Sequence, residues 1–149
     1  DLVLICVLNG SFMFFNDLLR ELTKLKNDNI YVDFIKVASY DKDKSKGKVR
    51  LIQDITMDVS NKNVIIIEDI VDSGITMKFL LDHFHSKCPR ALKTATLLYK
   101  NRSMDENLVI DYKCFKVDDY FVVGYGLDYN NKFRNLEGIY KYSKGKNEK

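Results

Sequence analysis

Residues 64–76 decide the fold, and their sequence is Val64-Ile65-Ile66-Ile67-Glu68-Asp69-Ile70-Val71-Asp72-Ser73-Gly74-Ile75-Thr76. The apolar run that opens this stretch predicts a buried strand, and two acidic residues follow it directly. A turn with two hydroxyls, Ser73 and Thr76, then leads into a helical pattern. The first N–H groups of a helix have no intrahelical partner, so they can donate to a phosphate. Gly74 has no side chain and lets the phosphate approach the backbone closely. The stretch therefore predicts a strand, a phosphate-binding loop and a helix.

The carboxylates of this stretch, Glu68, Asp69 and Asp72, predict a second kind of contact. Carboxylate oxygens bind hydroxyl groups or a magnesium ion, and a ligand with vicinal hydroxyls and a phosphate is a phosphorylated ribose. The alternative is an ordinary polar helix start, since acidic residues are common there. Their spacing around one glycine favours the functional interpretation. Other phosphate motifs fail, because the sequence has no G-x-x-x-x-G-K-[ST] and Gly124-Tyr125-Gly126 lacks the third glycine of a dinucleotide fingerprint.

The alternation of strand and helix extends in both directions from this stretch. Apolar patterns predict strands at residues 2–8, 30–37, 49–52, 64–67, 91–99 and 121–126. Helical spacing of apolar residues predicts helices over residues 15–25 and 77–84, the second ending before Pro89. The fold class is therefore α/β, with a mainly parallel, twisted sheet flanked by helices.

Polar clusters follow several of the predicted strands. They are Asn9-Gly10, Glu68-Asp69, Lys100 and the segment around Asp128. Because ligands of α/β sheets bind beyond the carboxyl ends of the strands, we expect these clusters to form one site. Residues 39–48 are polar and highly charged, which predicts a mobile loop.

Composition predicts a single domain over residues 1–149. The chain is 46% hydrophobic and 30% charged, which provides a core and excludes a disordered chain. A net charge of +3 without a dense basic stripe argues against a nucleic-acid partner. The longest apolar stretch, residues 2–8, is far shorter than the roughly 20 residues that span a bilayer, which argues against a membrane partner.

The cysteines and the first residue of the sequence each lead to one further expectation. Cys6, Cys88 and Cys114 form no C-x-x-C pair, so we expect free thiols in a reducing, cytoplasmic compartment. The chain opens with Asp1 rather than Met, and a buried-type strand starts at once. We therefore expect an N-terminal segment of the natural protein to lie outside this sequence.

The decisive stretch resembles the type I phosphoribosyltransferases, whose signature is an apolar strand, two acidic residues and an Asp-[Ser/Thr]-Gly-x-Thr loop. Further segments resemble the hypoxanthine-guanine phosphoribosyltransferases. They are residues 4–11, 32–35, 39–40 and 121–129, continuing through Phe133-Arg134. The resemblance covers nearly the whole chain in order, and it implies the type I phosphoribosyltransferase fold with a small hood and a flexible loop.

The resemblance also implies roles for the decisive stretch. Glu68 and Asp69 hold the ribose hydroxyls, and Asp72 lies near purine N7 and takes or shares its proton. The alternative for Asp72 is a helix cap. The 5-phosphate is cradled by four consecutive residues: Ser73, Gly74, Ile75 and Thr76.

The purine site is implied in the same way. Lys100 donates to the 6-oxo group, Phe121 stacks on the ring, and Val122 and Asp128 meet the base edge. The alternative for Lys100 is an ordinary surface lysine, and for Phe121 a core phenylalanine. A 6-oxopurine is therefore expected as substrate, with adenine rejected and xanthine left open.

The resemblance places pyrophosphate on Asn9, Gly10 and Arg134, with a non-proline cis peptide in the Leu8-Asn9-Gly10 loop. The alternative for Arg134 is a surface salt bridge. Magnesium is implied as cofactor, with Glu68, Asp69 and Asp128 as the metal set, and Ser39-Tyr40 as part of a lid. Two residues depart from the family pattern: Asn9 stands where lysine is frequent, and Asn135 where aspartate is common.

Two functions from different classes follow. The first is a purine salvage enzyme that transfers a phosphoribosyl group from 5-phosphoribosyl-1-pyrophosphate to hypoxanthine or guanine. The second is a regulatory module of the same fold that binds the ribosyl pyrophosphate without catalysis; Asp72, Lys100 and Phe121 argue against it, because a sensor needs no base site. A receiver domain fits poorly, because its acidic pair lies on a different strand from its phosphoacceptor. The family resemblance also implies a homo-oligomer, either dimer or tetramer.

Overall fold

The computed structural model describes residues 1–26, 28–40, 48–100 and 108–143. The helices are α1 (Phe12–Thr23) and α2 (Ile75–His85). The strands are β1 (Leu2–Leu8), β2 (Ile30–Tyr40), β3 (Lys48–Gln53), β4 (Asn63–Val71), β5 (Ala91–Tyr99), β6 (Tyr112–Lys116), β7 (Val122–Val123) and β8 (Tyr140–Lys141). Within these ranges the chain has the predicted α/β class.

The main sheet has the order β3-β2-β1-β4-β5-β6, and β3 is its antiparallel edge. The central strands β1 and β4 are apolar because helices cover both of their faces. Phe15 of α1 packs with Leu4 and Ile67 on one face. On the other, Met77 of α2 packs against a cluster that includes Ile5 and Ile66. Because the strands from β2 through β1, β4 and β5 to β6 run parallel, their carboxyl ends all lie on the same side of the sheet.

The observed bounds correct two expectations from the sequence. β2 continues to Tyr40, so the backbones of Ser39 and Tyr40 pair with β3 instead of starting a loop. Residues 41–47, the core of the predicted mobile loop, lie outside the described residues. β4 continues to Val71, so Glu68 and Asp69 lie inside the strand and not beyond its end. Main-chain pairing with β3 extends β2, and pairing with β5 extends β4, beyond the ends that their apolar runs indicate.

The strand predicted at residues 121–126 was also wrong in extent and place. β7 contains only Val122 and Val123 and pairs with β8 in a separate two-stranded sheet. Gly124 and Gly126 have positive φ values of 95° and 98°, which end the strand and form a turn. β6 was missed, because its five side chains are all exposed and show no apolar run.

Two close approaches join the segments that were expected to form the site. A Cβ atom at Gly10 would overlap the carboxylate of Asp69, and one at Gly126 would overlap the carbonyl oxygen of Gly10. The loop after β1, the strand β4 and the turn after β7 therefore meet through glycines. In the described ranges, no helix has the length and apolar character needed to cross a membrane.

Candidate active site

Asp72 and Lys100 form a direct contact at the carboxyl edge of the sheet. Lys100 Nζ donates to Asp72 Oδ2 at 2.9 Å, and the Lys100 side chain lies 3.6 Å from Asp119 Oδ1. The backbone N–H of Lys100 donates to the carbonyl of Val71, which fixes the two strand ends side by side. Lys100 is only 8% exposed, so the surface-lysine alternative is wrong.

The helix-cap alternative for Asp72 is also wrong. The N-cap of α2 is Gly74, with a left-handed φ of 80° and no side-chain cap hydrogen bond. A left-handed N-cap favours glycine because it has no Cβ. The Asp72 carboxylate instead accepts from Lys100.

The loop at the start of α2 has the backbone of a phosphate site. The first hydrogen bond within the helix runs from the Lys78 N–H to the Gly74 carbonyl. The N–H groups of residues 75–77 therefore have no acceptor within the helix. Ile75 N–H lies 3.5 Å from Ser73 Oγ, a long contact that a stronger acceptor can replace. Ile75 is exposed and Thr76 is partly exposed, so this helix start is open to a ligand.

Asp69 lies against the Asn9-Gly10 loop and is electrostatically coupled to the turn after β7. Burial raises the pKa of Asp69 to about 6, although backbone N–H donors and the Arg134 guanidinium oppose the rise. Repulsion from Asp128 adds to the rise in pKa. A cationic ligand group would relieve this repulsion, and a metal ion is one such group.

Glu68 occupies a different environment from its neighbour. It is 6% exposed, and its Oε2 has no hydrogen-bond partner among the described residues. Burial, followed by repulsion from Asp69, raises the pKa of Glu68 well above its usual range. A buried polar atom without a partner is costly, so Glu68 is suited to a hydroxyl group supplied by a ligand.

The expected metal set, Glu68, Asp69 and Asp128, is not brought together as one group. Among the described residues there is no cluster of three or more Asp, Glu, His or Cys side chains that could hold a metal ion. Charge repulsion couples Asp69 both to Glu68 and to Asp128.

The turn after β7 is held by Arg134 and Asp128. Arg134 donates to the Gly126 carbonyl at 2.7 Å and forms a 2.7 Å ion pair with Asp128. The Asp128 carboxylate also accepts from the Asn131 N–H at 2.7 Å. The salt bridge that was the alternative for Arg134 is thus observed, with Asp128 as its partner. This ion pair orients the arginine even though Asn135 stands where the family commonly has an aspartate.

Phe121 and the Leu8-Asn9 peptide complete the site. Phe121 is 52% exposed, so the core-phenylalanine alternative is wrong, whereas Val122 beside it is buried. The Leu8-Asn9 peptide bond is cis, as the resemblance implied. Sequence reasoning missed Asp119 and Tyr142, which contact Lys100 and Phe121; neither belongs to a motif, and only their position in space reveals them.

An open helix start, carboxylates beside it and an exposed aromatic ring are together the features expected of a phosphoribosyltransferase site. A model of the phosphoribosyl transferase domain matches residues 1–130, and the chain belongs to this family.

The relatives narrow the comparison within the family. The hypoxanthine-guanine phosphoribosyltransferase of Dictyostelium discoideum is 38% identical over 137 residues, covering 91% of this chain and 76% of that protein. A hypoxanthine-guanine phosphoribosyltransferase structure from Bacillus anthracis is 45% identical with a TM-score of 0.86, covering 95% and 82% of the two chains. The Trypanosoma cruzi hypoxanthine phosphoribosyltransferase, solved with the product IMP, is 38% identical with a TM-score of 0.85, covering 94% and 74%.

Proposed function

We propose that this chain is a purine salvage enzyme that transfers the 5-phosphoribosyl group of 5-phosphoribosyl-1-pyrophosphate to hypoxanthine or guanine. The products are IMP or GMP and pyrophosphate. The observation that carries the proposal is the buried Lys100 ammonium paired with Asp72 beside the phosphate loop. A site that only bound the ribosyl pyrophosphate would not need this cation, so the pair argues against the regulatory alternative.

The phosphoribosyl half of the substrate fits the β4–α2 segment. The 5-phosphate accepts hydrogen bonds from the backbone and hydroxyls of residues 73–76. The ribose hydroxyls meet Glu68, whose buried Oε2 lacks a partner among the described residues, and Asp69. Binding both ends of the sugar fixes the anomeric carbon relative to the base, which is the orientation that favours transfer.

The base half fits between Lys100 and the turn after β7. The purine stacks on Phe121, and its 6-oxo group accepts a hydrogen bond from Lys100. Lys100 then gives up part of its contact with Asp72. The freed carboxylate faces the imidazole edge of the purine and accepts the proton that the base loses.

The transfer step is a substitution at the anomeric carbon. The bond from this carbon to the pyrophosphate oxygen breaks, and pyrophosphate leaves with the electron pair. The purine nitrogen forms the new bond from the opposite face, which inverts the configuration. Backbone N–H groups of the Asn9-Gly10 loop and the Arg134 guanidinium hold the departing pyrophosphate, so catalysis rests on orientation and electrostatics.

We propose Mg²⁺ as the metal, held by Asp69 and Asp128. Both supply hard oxygen donors, and repulsion from Asp128 adds to the rise in the pKa of Asp69 that burial causes. Mg²⁺ characteristically takes one or two protein carboxylates and completes its shell with water and substrate oxygens, which fits a pair better than a closed cluster. When bound, the ion would neutralise charge on the pyrophosphate.

The deciding experiment measures nucleotide formation from each base by the purified chain, with and without 5-phosphoribosyl-1-pyrophosphate. Formation of IMP and GMP that requires the ribosyl pyrophosphate supports the enzyme. Tight ribosyl pyrophosphate binding without nucleotide formation would establish the regulatory alternative. Repeating the ligand titration in a chelator tests the metal, because equal affinity without Mg²⁺ would exclude it from the binding site.

We further propose a cytoplasmic homo-oligomer. All three cysteines are free thiols, as a reducing compartment allows. Phe34 and Phe115 are exposed on two different strands and offer apolar surface for a second copy. Light scattering would decide between a monomer, a dimer and a tetramer.

A further inference from the structure

Phe121 and Tyr142 lie opposite each other at the end of the small sheet. β7 and β8 pair with Val122 opposite Lys141 and Val123 opposite Tyr140. The same antiparallel register, continued by one residue, places Phe121 opposite Tyr142. The Tyr142 N–H donates to the Phe121 carbonyl at 2.8 Å, which confirms this cross-strand pairing.

The two rings belong to a triangle that Tyr129 completes. Phe121 meets Tyr142 edge-on, with ring centroids 6.1 Å apart and an interplanar angle of 70°. Phe121 also meets Tyr129 edge-on at 5.8 Å and 85°. Tyr129 and Tyr142 stack on each other at 4.3 Å and 25°. Such distances and angles are those of favourable aromatic pairs, so each ring restricts the rotation of the other two.

This restriction matters because Phe121 is half exposed. An exposed phenylalanine just before a two-residue strand would otherwise sample several rotamers in solution. Stacking on a planar base requires one ring plane, and a ring already held in that plane loses less conformational entropy when the base binds. Tyr142 contacts both of the other rings, so its removal loosens Phe121 directly and through Tyr129.

We propose that Tyr142 is a positioning residue for the purine: it holds the Phe121 ring in the plane on which the base stacks. The inference rests on the proposed function of Phe121 and adds a residue outside the motifs of that site. Tyr142 acts through Phe121, so its effect falls on binding of the base. It treats all 6-oxopurines alike and leaves the ribosyl pyrophosphate site unchanged.

The test compares Tyr142→Leu, which keeps apolar volume without an aromatic ring, with Tyr142→Phe, which keeps the ring. For Tyr142→Leu we expect the KM for hypoxanthine and for guanine to rise about three- to tenfold, the equivalent of one aromatic pair. The kcat and the KM for the ribosyl pyrophosphate stay within about twofold of wild type, a margin well below one aromatic pair. Tyr142→Phe restores the KM for both bases.

Tyr140→Leu is the matched control, since Tyr140 is an exposed tyrosine of β8, the strand that Tyr142 directly follows. Among the described residues it makes no ring contact with Phe121, and we expect an unchanged KM. In a Phe121→Leu background, Tyr142→Leu adds little further increase in KM if the two residues act together.

The outcomes separate this inference from the function on which it rests. A wild-type chain that forms no nucleotide refutes the proposed function, and calorimetric binding of IMP to the same variants still tests Tyr142. An active wild type with an unchanged purine KM in Tyr142→Leu overturns the positioning role. So does an equal loss in the affinities for both substrates, which is the result expected of a residue that merely stabilises the fold.

Discussion

The site is built from two regions that differ in how they hold their functional groups. At the edge of the central sheet, Asp72 and Lys100 leave adjacent parallel strands, and main-chain bonds fix them beside each other. In the region from Phe121 to Tyr142, a two-stranded sheet and a turn carry the aromatic ring and the arginine. Their positions depend on side-chain contacts, such as the Arg134–Asp128 ion pair and the aromatic triangle.

The two regions therefore fix the positions of their functional groups by different means. Central strands covered on both faces cannot shift without opening the core, so groups at their ends inherit the rigidity of the sheet. A small outer sheet has little core of its own and needs interlocking side chains. Substitutions at the sheet edge should therefore act on chemistry, and those in the outer region on base binding and stability.

The largest expected effect concerns Lys100 and the choice of base. Hypoxanthine presents an acceptor to the Lys100 ammonium, whereas adenine presents an amino group, so two donors would meet. A site built for one hydrogen bond rejects the mismatched analogue by roughly 10⁴-fold in kcat/KM. Competition kinetics with hypoxanthine, guanine and adenine would measure this ratio.

Lys100→Met should lose most of this discrimination together with most of the activity. Lys93→Met is the control, because Lys93 lies on β5, the strand that Lys100 directly follows, but pairs with Asp111 away from the site. Comparable kcat/KM values for adenine and hypoxanthine in the wild type would contradict the role of Lys100.

Asp72→Asn should lower kcat by up to about 10²-fold, the low end for a general acid–base group. Affinity for the ribosyl pyrophosphate should change little, because the phosphate loop is intact. Asp119→Asn serves as the control: its carboxylate also faces Lys100, but at 3.6 Å, whereas that of Asp72 lies at 2.9 Å. Equal losses in both variants would show that the charge on Lys100 matters, and not a proton transfer at Asp72.

Gly126→Ala should weaken the junction between the two regions. The new Cβ would overlap the Gly10 carbonyl, and φ at this position is 98°. We expect a loss of about 2 kcal/mol in the free energy of unfolding, as is usual for strain at such a backbone position. Gly138→Ala is the control, since the atoms nearest to its Cβ would belong to the Tyr140 side chain, the closest at 3.3 Å, and not to the backbone. Similar denaturant midpoints for the two variants would argue against a tight junction.

A substitution at Asp33 should lower the stability of the central sheet without changing a residue of the site. Burial raises the pKa of Asp33, but hydrogen bonds from the Met57, Phe34 and Thr56 N–H groups outweigh it and hold the pKa below its usual value. A depressed pKa means that the ionised group stabilises the fold above about pH 4 and loses this contribution as the pH falls through the folded-state pKa.

Asp33→Asn should therefore cost about 1–2 kcal/mol near neutral pH, with a smaller difference in acid. Denaturant unfolding at several pH values would show it. Asp82→Asn, at an exposed helix position, should change stability little at any pH. A cost for Asp33→Asn that did not depend on pH would place its origin in packing instead of charge.

The apolar runs, alternating with helical patterns, were enough to predict the α/β class and five of the six main-sheet strands, because each of these strands packs apolar residues against the core. They were not enough for β6, whose side chains are all exposed, or for the true extent of β4. Pairing partners extend a strand beyond its own apolar residues, and a single sequence carries no signal of them.

From the sequence alone, residue types at short spacing were enough to predict a strand, a phosphate-binding loop around Gly74 and a helix. The cis peptide before Asn9 followed only from the resemblance of further segments to a known family. Only the tertiary structure decided that Asp72 contacts Lys100 and caps no helix, that Glu68 and Asp69 do not share one metal cluster with Asp128, and that Tyr142 packs against Phe121. Each of these depends on which strand ends and turns become neighbours in space, and that is set by the packing of the whole sheet.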